Sequence, residues 1–138
     1  MFMRKIIIAS HHQMAYGLYQ TVQFLTKAPQ VYEISAYVDD IDIQKQIEEV
    51  WTHIGPDDEV FIFTDIIGGS VTQKFFSYKS DKVHLICGMN LPLVIAAVLS
   101  SDNAPMSPEE IRRMVKEAQD SIIYINEYEN DNNSCEDE

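Results

Sequence analysis

The chain has 138 residues, 46% of them hydrophobic, and a formal net charge of −12. That length suits one domain around one core. Its longest apolar run, "LPLVIAAVL", is too short to cross a bilayer, and "MFMRKIII" is too short for a signal peptide, so a cytoplasmic protein is expected.

No basic stripe is present to meet phosphates, which argues against nucleic acid as a partner. The last stretch, "EYENDNNSCEDE" (127–138), holds six acids and no base; without it, sixteen acids face ten bases. The reading is one domain over 1–128 and an acidic tail over 129–138, too polar and self-repelling to fold. Cys87 and Cys135 suggest neither a disulfide framework nor a metal pair.

Apolar runs alternate with helical spacing along the chain. "RKIIIA" (4–9) reads as a buried strand. Residues 14–26 read as a helix with Met14, Leu18, Val22 and Leu25 on one face. "VYEISAYV" (31–38) reads as a strand nearer an edge. Residues 41–51 read as a helix with Ile43, Ile47, Val50 and Trp51 inward. "EVFIFT" (59–64) and "KVHLICG" (82–88) are buried strands, each followed by a helix, 70–78 and 91–100. "SVTQ" (70–73) has a capping-box pattern with Ser70 as cap, and "SPEE" (107–110) starts a last helix with proline in its first turn. "SIIYINEY" (121–128) is a plausible fifth strand that must add to a sheet edge, its own or a partner's. The alternation predicts an α/β fold, a doubly wound parallel sheet with helices on both sides. Helix 91–99 is apolar all round, which asks for cover from a second subunit or from the terminal helix.

In such sheets ligands sit beyond the carboxyl ends of the strands, where strand order reverses. The first strand ends in Ser10-His11-His12, the second in Asp39-Asp40, the third in Asp65 followed by Gly68-Gly69-Ser70, and the fourth in "GMNLP". With strand order 2-1-3-4, the first and third strands are neighbours and a histidine meets Asp65. A carboxylate bonded to one imidazole nitrogen sets the tautomer and frees the other to attack. Gly68 and Gly69 allow backbone N–H groups to approach an anion where a helix begins at Ser70. Together these point to phosphoryl transfer through a phosphohistidine, which calls for no metal and no cofactor. Adjacent histidines do not converge on one metal, and neither a G-x-S-x-G elbow nor a G-x-x-x-x-G-K-[ST] loop occurs. His53, after a helix, and His84, within a strand, read as structural.

The stretches "IIIASH", "FTDIIGGS" and "GMNLPLV" resemble the enzyme IIA component of mannose-class sugar phosphotransferase systems, over about residues 4–126. The resemblance implies that His11 is the phosphorylated histidine and Asp65 its aspartate. Gly68, Gly69 and Ser70 match the family's phosphate-binding glycines and serine. It implies a phosphocarrier that accepts its group from the histidine-containing phosphocarrier protein and hands it to enzyme IIB, which serves membrane sugar-transport components. It further implies a 2-1-3-4 parallel sheet whose C-terminal strand, here about 121–128, is exchanged in a homodimer as an antiparallel edge. Three positions depart from the family's usual pattern: His12 stands where glycine is common, Ile66 where threonine is frequent, and Val71 where proline is common. Competing readings are a phosphotransfer subunit for dihydroxyacetone kinase, which "GMNLPLV" disfavours, and a IIA-like regulatory or binding module without carrier activity. His12 reads as either a shield for the phosphoryl group or a surface neighbour.

Overall fold

The side chains of the first apolar run enter two different cores. In the computed structural model, which describes residues 2–129, that run is β1 (Arg4–His11). Ile6 and Ile8 point to one face of the sheet, Ile7 and Ala9 to the other, and all are at most 3% exposed. A strand covered on both faces has no position for a polar side chain to reach water, which is why its sequence is apolar throughout rather than alternating. β2 (Val31–Ala36) and β3 (Glu59–Thr64) flank it, with Ile6 opposite Val31 on one side and Phe61 on the other. β4 (Val83–Cys87) lies outside β3, with Val83 opposite Val60. All pairings are parallel and the order is β2-β1-β3-β4, as the resemblance implied.

One face is covered by α1 (Met14–Thr26), α4 (Leu91–Leu99) and α5 (Pro108–Asp120). These helices close over Ile6, Ile8, Phe61 and Phe63 with Ala15, Val22, Leu93, Val94, Ala97, Met114 and Ala118. The other face is covered by α2 (Ile43–Trp51) and the short α3 (Ser70–Lys74), whose Ile43, Ile47 and Val71 meet Ile7, Ala9, Val60 and Ile62. A 3₁₀ turn, Phe76–Tyr78, ends the segment expected as one helix over 70–78. The tighter turn aligns residues three apart: Phe75 is fully buried, and Tyr78 reaches Trp51 with ring centroids 4.7 Å apart.

Several expectations are corrected. The inner face of α1 is Ala15, Leu18, Tyr19 and Val22; Met14 and Leu25 lie more than half exposed. The small Ala15 sits against the sheet, and a pattern drawn through the larger apolar residues rotated the helix. Ser70 does not cap α3. The cap position is Gly69, with no side-chain cap bond, and Ser70 is the first helical residue. The capping box at Ser107 does form, with Ser107 accepting from Glu110 N–H and Glu110 accepting from Ser107 N–H. The apolar α4 lies between α1 and α5, so cover within the chain accounts for its buried residues.

The segment 121–128, expected as an antiparallel edge strand, forms no strand in this chain. It leaves α5 through a turn and ends in a 3₁₀ turn, Ile125–Glu127. An extended segment needs a ladder of backbone partners, and this one has none within the described residues; Ile122, Tyr124, Ile125 and Tyr128 are all more than half exposed. Residues 130–138, most of the acidic tail, lie outside the described part.

At the pole away from the sheet's carboxyl end, Arg4 and Glu59 form a buried ion pair, Nε to Oε1 2.7 Å. Arg4 also donates to the carbonyls of Ser101 at 2.7 Å and Ala104 at 3.2 Å, and Glu59 Oε2 accepts from Met106 N–H at 2.8 Å. The pair thereby holds the loop between α4 and α5 against β1 and β3.

Candidate functional site

The parallel register sets Ala9 opposite Thr64. β1 runs two residues further, to His11, and β3 gives way to Asp65, so these two side chains leave neighbouring strands at the same edge. There the chain turns to α1 on one face and α3 on the other, which is the switch point of a doubly wound sheet.

Asp65 Oδ2 lies 2.8 Å from the His11 backbone N–H and 2.8 Å from His11 Nδ1. Its Oδ1 accepts from Ile66 N–H at 3.0 Å. Burial pushes the Asp65 carboxyl up, but the His11 backbone N–H, the His11 ring and the Ile66 N–H together hold it below the ordinary carboxylate value. An ionised carboxylate only accepts hydrogen bonds, so the ring proton sits on Nδ1 and the lone pair on Nε2. The His11 side chain is 37% exposed and that of Asp65 10%, which gives a buried orienter beneath an accessible imidazole.

The glycines differ in what they do. A Cβ on Gly69 would lie 2.5 Å from His11 Cε1 and 3.2 Å from Nε2, so position 69 must lack one for the ring to lie where it does. A Cβ on Gly68 would meet nothing within 4 Å. Thr72 Oγ1 donates to Ile66 O at 2.6 Å and pairs with Thr64 Oγ1 at 2.8 Å, tying the loop to the end of β3. Val71 fills the core at 0% exposure. Ile66 and Ile67, in the loop after Asp65, are 57% and 71% exposed.

The turn after His11 depends on its neighbours. Ser10, fully buried, donates to His12 O at 3.2 Å and accepts from Ala15 N–H at 2.7 Å, which closes the first turn of α1. His12 takes φ of 55° and its N–H donates to Ala36 O at 2.7 Å. Left-handed backbone at that point is the reason glycine suits it. His12 shapes the turn with its backbone, while its side chain stays exposed.

One residue escaped the sequence reading. Tyr37, immediately past β2, has φ of 68°, and its hydroxyl is 2.6 Å from Ser70 Oγ. Its ring centroid is 5.8 Å from that of His11. The sequence placed the end of β2 at Val38 and looked to Asp39-Asp40; an earlier strand end would have pointed to Tyr37. His84 Nε2 stands 3.6 Å from Glu59 at the far pole, and the His53 ring stacks on Tyr32, both remote from His11 in contacts and fold position. Among the described residues no group of three or more His, Cys, Asp or Glu is arranged to hold a metal ion, and no helix is long and apolar enough to cross a membrane.

A parallel 2-1-3-4 sheet with a carboxylate-oriented histidine at its switch point defines a narrow class of α/β domain. Residues 5–116 match the family described as the PTS system fructose IIA component, EIIA-man. The chain therefore belongs to the mannose/fructose-type IIA family of sugar phosphotransferase systems. It is similar to a crystal structure assigned to a phosphoenolpyruvate-dependent sugar phosphotransferase system permease from Klebsiella pneumoniae subsp. pneumoniae MGH 78578, at 34% identity and a TM-score of 0.79 over 90% of this chain and 92% of that one. The PTS IIA protein associated with the fucose utilization operon of Streptococcus pneumoniae shares 26% identity, with a TM-score of 0.70 over 91% and 95%. The mannose/sorbose specific IIA subunit from Enterococcus faecalis, at 19% identity and a TM-score of 0.71 over 91% and 97%, shares the fold. A comparison with curated proteins finds no match.

Proposed function

We propose that this chain is a cytoplasmic phosphocarrier that takes a phosphoryl group on His11 Nε2 and passes it to a histidine of enzyme IIB. The observation that carries the reading is the 2.8 Å bond from His11 Nδ1 to Asp65, which leaves an accessible Nε2 lone pair. The donor is the histidine-containing phosphocarrier protein. The Nε2 lone pair attacks phosphorus, a new N–P bond forms, and the donor's imidazole leaves with the electrons of the old one. Asp65 stabilises the positive charge that grows on the ring. Exchange between two imidazoles is nearly balanced in energy, so the protein's task is positioning and charge stabilisation. Backbone N–H groups at Gly68, Gly69 and Ser70 lead into the first turn of α3, where their dipoles would meet a developing anion.

The homodimer belongs to the same reading. The edge strand β4 is only partly buried along its whole length, whereas β3 is fully buried. Residues 122–128 carry exposed isoleucines and tyrosines with no strand partner of their own. Addition of this segment to the β4 edge of a second copy would cover both. Truncation after Ser121 should then turn a dimer into a monomer in sedimentation; an unchanged dimer would remove the exchange.

The direct test is intact mass after incubation with phosphoenolpyruvate, enzyme I and the phosphocarrier protein. Wild type and His12→Gln should gain one acid-labile phosphoryl group, and His11→Gln none. Loss in His12→Gln alone moves the nucleophile by one residue. No gain in any sample, with the donor charged, leaves a IIA-like binding module.

A further inference from the structure

Tyr37 is a half-exposed aromatic residue in backbone geometry that bulky side chains rarely adopt, with φ of 68°. Strained backbone of this kind persists where the surroundings hold it, and it collects at functional sites. Here it brings the phenol hydroxyl to 2.6 Å from Ser70 Oγ. Ser70 follows Gly69, whose missing Cβ admits the Cε1–Nε2 edge of the His11 ring. The Tyr37 ring itself is tilted 36° to that imidazole with centroids 5.8 Å apart. Three separate segments, the ends of β1 and β2 and the start of α3, thus meet around the His11 ring, with the start of α3 on its Cε1–Nε2 edge.

Two hydroxyls bonded to one another use one hydrogen between them and leave one free. The phenol is the more acidic of the two and the better donor. With Tyr37 donating, the free hydrogen belongs to Ser70, and the bond polarises that O–H toward stronger donation. We propose that Tyr37 is a positioning residue for the transfer: through Ser70 Oγ it holds the serine hydroxyl as a donor to the phosphoryl group in transit to His11 Nε2. This rests on the carrier reading above. Neither hydroxyl gives up its proton, and the N–P bond is made and broken at His11 alone. The contact strengthens as charge spreads over the phosphoryl oxygens, so it acts on the transfer step rather than on docking of the donor protein.

The experiment measures charging of the full chain by the phosphocarrier protein, at varied donor concentration, in wild type, Tyr37→Phe, Ser70→Ala and the double variant. Thermal unfolding of each is recorded alongside. Tyr37→Phe should lower the saturating rate roughly three- to tenfold, the scale of one hydrogen bond, with KM unchanged and melting unaltered. Ser70→Ala should lose as much or more, and the double variant no more than Ser70→Ala alone, because Tyr37 acts through Ser70. An unchanged rate in Tyr37→Phe overturns the proposal. So does a loss confined to KM, which marks a docking contact, and so do fully additive losses, which mark independent action. Should Tyr37→Phe fold poorly, Ser70→Ala decides alone, and an unchanged rate overturns the proposal. Failure of wild type to charge removes the carrier reading and this inference together; a charging wild type with an indifferent Tyr37→Phe removes only the inference.

Discussion

A single oxygen, Asp65 Oδ2, serves both the backbone and the ring of His11, so the carboxylate fixes the residue's position as well as its tautomer. Asparagine can keep an oxygen toward both His11 nitrogens, but it carries no negative charge to balance the cation that grows on the ring as the N–P bond forms. Asp65→Asn should therefore slow transfer on the order of 10²- to 10⁴-fold while the fold survives, as single-turnover charging would show. The same carboxyl links stability to pH. Its value in the fold is depressed below the ordinary 3.8. Its contribution is thus complete above the unfolded value and fades as pH falls through the folded one. The stability gap between wild type and Asp65→Asn should shrink below about pH 4, in denaturant melts across pH. The two glycines separate equally cleanly. Gly69→Ala forces the His11 ring aside and should cost about tenfold or more in charging rate. Gly68→Ala meets open space and should charge at the wild-type rate. Equal behaviour of the two variants would contradict the steric role assigned to position 69.

At the scale of elements, two serines with similar surroundings in the sequence do different work. Ser107 closes a capping box at the start of α5, and both reciprocal bonds form. Ser70 stands one residue inside α3 and pairs its hydroxyl with that of Tyr37. Ser107→Ala should lower stability by about 1 kcal/mol, read from the urea midpoint, with no effect on charging. Ser70→Ala should do the reverse. The helix start at Ser107 was legible from the proline that follows it, while the capping pattern was read at Ser70. There it misled, since Gly69 had already taken the cap position and leaves the serine free for the site. The α1 face was misplaced for a different reason: Ala15 adds little to a hydrophobic pattern, yet it alone is small enough to lie against the sheet with no exposure.

For the whole molecule, the two ends of the sheet are divided between chemistry and cohesion. The carboxyl end carries His11, Asp65 and the loop at 66–70. The amino end carries the buried Arg4–Glu59 pair that ties the α4–α5 loop to the sheet. Removing one member strands the other charge in the interior, so Glu59→Ala should cost about 3–5 kcal/mol in denaturant unfolding. Charging of His11 at a temperature where that variant is still folded should match wild type. A slowed rate there would mean that the two ends of the sheet are coupled.

The sequence by itself determined the layers and the alternation of strands and helices. Runs buried on both faces can only be apolar, helices at the sheet surface need a 3.6-residue period, and connections in parallel sheets place the strand ends together. The 2-1-3-4 order came only with the family resemblance, and once it is given, His11 and Asp65 meet at the edge shared by β1 and β3. The tertiary structure decided what depends on distance across the sheet or on backbone sign. No sequence pattern announces that Tyr37 turns left-handed to reach Ser70, or that the His11 ring occupies the space of a Gly69 side chain. The structure also decided that 121–128 is no strand in a lone chain, because a strand is defined by its partner's hydrogen bonds, and those are not written in the strand's own residues.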